Sequence, residues 1–246
     1  VTQLSFELEK PIDYKLIVSP RARRLTLRVE PGRGVIVTAP KRFPKRDIPK
    51  FVESNRRWIE NSLIEVERLT PAIYQQWPPR RLDIQALSEV WHLVFSSDIP
   101  TEACIFTKVE NKQTVCLRAE TSDKCAVVAE ISERLMTTAR AVLPPMLAEL
   151  AARHGLNYSK VQVRGQRSVW GSYSSTGTLS LNYKLLFLPP ELVDYVLLHE
   201  LAHTLYLDHS PKFWQQLEQF HPDARALDKR LKKAGRDVPP WLELER

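Results

Sequence analysis

The stretch Leu197–Ser210, LLHELAHTLYLDHS, is apolar enough for the middle of a core, yet it carries three histidines, Glu200 and Asp208. On a helical wheel of about 100° per residue, Leu192, Val193, Val196, Leu197, Leu198, Leu201, Ala202 and Leu205 cover nearly the whole circumference. A helix that is apolar on all sides is a buried helix. Pro190 suits its first position, and Glu191 and Asp194 suit the positive end of its dipole. His199 and His203 are four residues apart and lie about 40° apart on one face, with Glu200 about 100° round from His199. Burying two imidazoles and a carboxylate without partners is costly. A metal ion compensates them, because neutral imidazoles bind it and its charge favours the adjacent carboxylate. The pattern is the His-Glu-x-x-His zinc motif, with His199 and His203 as ligands and Glu200 as general base. With 6 His and 19 Glu in 246 residues, random placement gives it in about 1% of such chains, so coincidence is a weak rival.

Catalytic zinc sites usually have three protein ligands and one open position. His209 is the nearest candidate for the third, with His221, Asp208 or a more distant acid as alternatives. If the helix ran on, His209 would sit about 15 Å further along the axis than His199, too far for two Zn–N bonds of about 2.1 Å. The helix must therefore end near Leu207 and the chain turn back. Ser210 as N-cap and Pro211 as first residue of a new helix support that break, and Phe213, Trp214, Leu217 and Phe220 give the new helix an apolar face to fix the turn. The spacing also equals that of the metzincins. Their turn glycine is Tyr206 here, however, and Met136 and Met146 both lie upstream of the motif, so that class is rejected.

Away from this segment the chain has an ordinary soluble composition, 43% hydrophobic and 26% charged. No apolar run approaches the roughly 18 residues of a membrane span. No basic start leads into an apolar stretch, so no secretory signal is visible. Cys104, Cys116 and Cys125 lack paired spacing, which fits reduced thiols and a cytoplasmic location. Between Arg21 and Arg57, 12 Lys or Arg face 3 acids, a local net of +9 in a chain of net +7. Such a region is either a solvated face or a patch for nucleic acid or another polyanion.

The N-terminal third reads as a β-hairpin, RRLTLRVE and VIVTAP around PGRG, then a long amphipathic helix from an Asp47 N-cap to about Leu69. PAIYQQWPPRR reads as a connector, followed by short strands at EVWHLVFSS, ACIFTKV and QTVCLRA. From about Ser122 the pattern is helical, interrupted at Pro144-Pro145 and stopped at Gly155, where His154 is a terminal cation. YSKVQVRG and TLSLNYKLLF alternate as strands, the second a candidate sheet edge for an extended peptide. The division expected is a β-rich and helical region over 1–121 and a metallopeptidase domain over 122–246.

Trp170-Gly171-Ser172, Asn182-Tyr183-Lys184, Pro189-Pro190, His199 to His203, and His209-Ser210 to Trp214 together resemble the bacterial YgjP-like metallopeptidases, relatives of the SprT and WLM zinc proteases. The likeness extends to the RARRLTLRVEPGRGVIVTAP hairpin and its helix. It implies an α+β fold: an N-terminal β-rich subdomain with a long helix, then a zincin-like (minimal gluzincin-type) domain with a small sheet and an HExxH active-site helix. It also implies one Zn2+ per chain held by His199, His203 and His209, a catalytic Glu200, and a peptide or protein substrate. Tyr173 departs from the family, which usually has Cys after Trp-Gly-Ser, and the segment from about Trp77 to Cys125 fits the pattern poorly.

The expected mechanism follows. Zinc acidifies its water and polarises the scissile carbonyl, while Glu200 moves the proton to the leaving amine. Tyr206, Tyr173, Arg164, Arg167, Asn182 and His221 are the candidates for transition-state or substrate contacts. The rival reading is a polyanion- or nucleic-acid-binding protein with a structural zinc, motivated by residues 21–57 and by DKRLKKAGR near the C-terminus. A hybrid is a protease recruited to nucleic acid, as in the SprT relatives.

Overall fold

The structure is a computed structural model that describes residues 11–30, 33–69, 72–96, 106–109, 112–117, 122–166 and 169–243. The chain divides into two compact units, Val1–Thr70 and Pro71–Arg246.

In the first unit, β1 (Tyr14–Ser19), β2 (Thr26–Glu30) and β3 (Gly34–Pro40) form a sheet ordered β1-β3-β2. β2 and β3 are the expected antiparallel hairpin, and β1 pairs parallel to β3. Val35, Val37 and Ala39 point to one face of the sheet, where Ile48, Val52 and Ile59 complete a small core. The single long helix expected here is two helices, α1 (Ile48–Ser54) and α2 (Arg56–Leu69), broken at Asn55. Asn55 turns its side-chain amide back to the Phe51 carbonyl, and its backbone leaves the helical region. Asp47 has no capping hydrogen bond, because a short 3-10 turn over Lys45–Asp47 already leads into α1.

The second unit opens with α3 (Ala72–Gln75) and a four-stranded sheet ordered β4-β5-β7-β6, from β4 (Arg81–Ile84), β5 (Glu89–Phe95), β6 (Phe106–Val109) and β7 (Lys112–Leu117). Then come α4 (Lys124–His154), β8 (Lys160–Arg164), β9 (Gly171–Tyr173), β10 (Thr178–Asn182), a 3-10 segment Tyr183–Phe187, α5 (Pro190–Ala202), α6 (Pro211–Phe220) and α7 (Ala224–Leu231). The boundary expected at 121/122 is not where the chain divides. Leu82, Ile84, Trp91, Leu93, Val115 and Leu117 of the four-stranded sheet share one apolar cluster with α4 and α5, so the two segments bury each other.

Helix α4 supplies the spine of that core. Ile131, Leu135, Ala139, Leu143, Leu147 and Leu150 recur every three or four residues and are all buried, the stripe of a core-facing helix. The interruption expected at Pro144-Pro145 does not occur. A proline inside a helix costs about 3 kcal/mol, but both prolines lie off the buried stripe while Leu143 and Leu147 on either side are fully buried. Asp123 caps the start of α4 by accepting from the Cys125 and Ala126 amides. Gly155 ends it with φ +65°. Burial against the Phe220 ring lowers the His154 pKa and favours neutral imidazole there, not the cation expected.

The sheet nearest the motif is ordered β8-β10-β9, with β8 parallel and β9 antiparallel to β10. TLSLN is therefore the central strand, not an edge, and the chain leaves it at Asn182 for the 3-10 segment. Among the described residues no helix is long and apolar enough to cross a membrane.

Gly155→Ala places a side chain in left-handed backbone and is expected to cost about 1 kcal/mol. Urea unfolding should show this as a lower midpoint at unchanged slope, and an unchanged midpoint would remove Gly155 as the determinant of the α4 terminus.

Candidate metal centre

Helix α5 is buried along its length, with Leu192, Val193, Tyr195, Val196, Leu197, Leu198, Glu200, Leu201 and Ala202 all inside. It stops at Ala202, five residues short of the expected end. The Thr204 and Leu205 amides bond the Leu201 and Ala202 carbonyls three residues back, and Thr204 Oγ1 also donates to Leu201. The chain then turns through Asp208, whose carboxylate accepts from the Ser210 amide. Ser210 caps α6 through the Phe213 amide, and Pro211 opens that helix. This turn carries His209 back, so that His209 Nε2 lies 3.0 Å from His199 Nε2. One ligand nitrogen from each of His199, His203 and His209 lies within 4.8 Å of the others. Two metal–nitrogen bonds of about 2.1 Å hold their nitrogens roughly 3–4 Å apart, the scale of this cluster.

The second ring nitrogens of His203 and His199 are already engaged. His203 Nδ1 donates to the Tyr206 carbonyl at 2.9 Å, which leaves Nε2 as the atom that could bind a metal. His199 Nδ1 lies 3.4 Å from the hydroxyl of buried Tyr195, which in turn donates to Asp228 Oδ1 on α7 at 3.4 Å. Lys232 Nζ holds the far oxygen of Asp228 at 2.7 Å. Beneath the three imidazoles sits fully buried Phe213, with ring centroids 5.0, 4.6 and 4.9 Å from those of His199, His203 and His209. Burial, and then the neighbouring His203 and His209, pushes the His199 pKa down to about 4. Burial also lowers that of His203. Both rings are therefore neutral near pH 7, the form that binds metal.

Glu200 is 5% exposed, and its Oε2 has no hydrogen-bond partner among the described residues. Burial raises its pKa to about 8. Against it lies Gly171 of β9. A Cβ there would fall 2.7 Å from both Glu200 Cγ and Oε1, so the carboxylate occupies the space a side chain would fill. Asn182 sets that approach, donating through Nδ2 to the Gln166 and Val169 carbonyls, each at 2.8 Å, and through its amide to the Trp170 carbonyl.

The remaining candidates are placed as follows. Asn182 is buried with its side-chain donors and acceptor engaged inside the protein, so it positions a loop and does not face a substrate. Tyr206 contributes its carbonyl to His203, while its ring packs on the core. Its expected projection toward the metal face assumed a helix that has already ended. Tyr173 also packs on the core at the end of β9. Arg164 ends β8, two strands from Gly171, and donates to Gln162. His221 and Asp208 are outside the histidine cluster. Arg167 lies outside the described residues. Sequence reasoning missed Tyr195, Asp228 and Gly171 as partners of the motif. The glycine in Trp-Gly-Ser was a signal, since a close backbone approach demands one.

Three imidazoles converging beside a buried carboxylate define the kind of centre that metal-dependent hydrolases carry. Residues 23–234 match the YgjP-like, metallopeptidase domain family, and the chain belongs to it. Among solved structures it is similar to two metallopeptidase zymogens. Abylysin of Pyrococcus abyssi has 26% identity over 37% of this chain and 93% of that one, with a TM-score of 0.34. Jannalysin of Methanocaldococcus jannaschii has 22% identity over 37% and 94%, with a TM-score of 0.34. No curated protein matches the chain.

The raised Glu200 pKa makes a signed prediction for chelator-treated protein. A neutral Glu200 is favoured by the fold, so its contribution is complete below the ordinary value of 4.5 and is lost as pH rises through about 8. Glu200→Gln has no such loss, so the variant should gain on wild type between pH 5 and 9, by up to roughly 5 kcal/mol. The depressed His199 pKa removes stability from both proteins as pH falls from 6.5 through about 4, and cancels in the comparison. Denaturation curves that stay parallel across pH 5–9 would contradict the buried, unpartnered carboxyl.

Proposed function

We propose that this metallopeptidase is a zinc enzyme in which His199, His203 and His209 hold the ion and Glu200 is the general base. The observation that carries the reading is the unpartnered buried Oε2 of Glu200, the residue that follows His199, together with three imidazole nitrogens within 4.8 Å of one another. Three neutral nitrogen donors suit zinc, whose catalytic sites pair three protein ligands with an open position. When bound, zinc supplies Lewis acidity to a peptide carbonyl and to water. Glu200 takes a proton from water on its carboxylate and delivers it to the leaving nitrogen. Burial holds its pKa high, and a cation held by the three imidazoles would draw it down, so that the group could both accept and return a proton. Tyr195 and Asp228 orient His199, and the Tyr206 carbonyl orients His203. β9 is the edge strand beside Glu200, and we assign it the main-chain pairing with an extended peptide.

A second reading concerns the basic region. The loops 20–25 and 41–47 meet at one end of the first unit's sheet, since Ser19 pairs with Pro40 and Thr26 with Thr38. Arg21, Arg23, Arg24, Lys41, Arg42, Lys45 and Arg46 are all exposed there. This favours a polyanion such as nucleic acid as a recruiting partner, whose binding would weaken steeply with salt.

Purified protein should hold about one zinc per chain. Glu200→Gln should keep the metal and lower hydrolysis of an unfolded protein substrate by about 10²–10⁴-fold. His209→Ala should weaken zinc binding by about 100-fold or more. Hydrolysis unchanged in the first variant sinks the general base, and full zinc affinity in the second removes the third ligand.

Gly171→Ala tests the packing. It should retain zinc yet lose about 100-fold in hydrolysis, because it displaces the Glu200 carboxylate by about 1 Å. Full activity in this variant would show that Glu200 is free to move.

A further inference from the structure

We infer that the free edge of β8, where it faces α4, binds an extended acidic segment of a partner protein by adding it to the sheet as a strand. β8 pairs only with β10, and among the described residues no strand lies beside its other edge. Lys160 donates from its amide toward the β10 side, to the Gly177 carbonyl. Strand alternation then turns the N–H and C=O of Val161 and Val163 outward, as an unfilled ladder. An open groove of about 500 Å³ runs along this edge, lined by Val161, Gln162, Val163 and Arg164 on β8 and by Arg140 and Pro144 on α4.

The groove has no acidic residue in its lining. Arg140 is exposed, with no carboxylate partner among the described residues, and Arg164 uses one N–H on the Gln162 side-chain carbonyl. A guanidinium has five N–H donors, so both arginines have donors left for carboxylates. Pro144 also has no N–H to give the Arg140 carbonyl, which leaves that acceptor beside the groove without its usual helical donor. A sheet edge supplies main-chain hydrogen bonds, the helix supplies the opposite wall, and the two arginines select charge. That combination fits an extended chain with acidic side chains at alternate positions. It disfavours a second copy of this protein, because edge-to-edge pairing of two β8 strands would bring Lys160, Arg164 and Arg140 against their own kind. β10 separates this groove from β9 and Glu200, so the two sites are distinct and the inference does not rest on the peptidase reading.

The test is fluorescence anisotropy of the full chain with labelled octapeptides of alternating Val and Asp, or alternating Val and Lys. The acidic peptide should bind at least ~10-fold more tightly than the basic one, and more weakly as salt rises. Arg140→Glu, at an exposed helix position, should weaken acidic-peptide binding by ~10-fold or more. Val161→Pro removes one outward N–H from an edge strand without touching the β8–β10 ladder, and it too should weaken binding by ~10-fold. Neither variant should change hydrolysis of a neutral peptide. Three results would overturn the inference: equal affinity for the two peptides, loss with Arg140→Glu but none with Val161→Pro, or a dimer of the free protein that Val161→Pro dissociates.

Discussion

Everything near the metal centre depends on the burial of one carboxylate. Glu200 sits inside an apolar helix with an unpartnered oxygen, and an isolated carboxylate in such surroundings is driven toward its neutral form. A nearby cation is what makes the ionised form tolerable, and the imidazoles of His199, His203 and His209 are gathered where one could be held. The approach of β9 is set by the same group. Gly171 has no side chain because the Glu200 carboxylate occupies that space. Asn182 fixes the strand's entry by gripping three carbonyls between Gln166 and Trp170. A residue outside the motif thus helps set the position of Glu200.

The C-terminal helices are part of the centre as well. α6 brings Phe213 beneath all three histidines, and the Ser210 cap that starts it also ends the turn carrying His209. α7 reaches the centre through Asp228 and Tyr195, giving His199 a hydrogen-bonded back support. Such outer partners fix ring orientation and tautomer, so loosening α7 would be felt at the His199 ring.

The sequence disclosed what is encoded locally. The spacing of His199, Glu200 and His203, the apolar circumference of α5 and the Ser210-Pro211 restart are all short-range signals, and with the Gly155 stop they describe the structure well. Long-range packing was not readable in the same way. α4 continues through Pro144-Pro145 because its buried leucines outweigh the two lost hydrogen bonds. TLSLN is a central strand because β8 and β9 both choose it, and alternation in one strand does not reveal its neighbours. α5 ends early because Thr204 and the Tyr206 carbonyl offer competing hydrogen bonds, which leaves Leu205 and Leu207 exposed, although Leu205 belonged to the projected buried face. Tyr195 and Asp228 read as ordinary residues until tertiary contacts give them partners, and Asn182, expected at the substrate, grips backbone carbonyls instead.

Zinc-edge X-ray absorption of the purified protein shows whether three imidazoles of this chain hold one zinc ion. One zinc per chain is expected, with three histidine nitrogens at about 2.0–2.1 Å and one further light-atom ligand. A sulfur ligand at about 2.3 Å, or a spectrum unchanged when His209 is replaced by alanine, would contradict it.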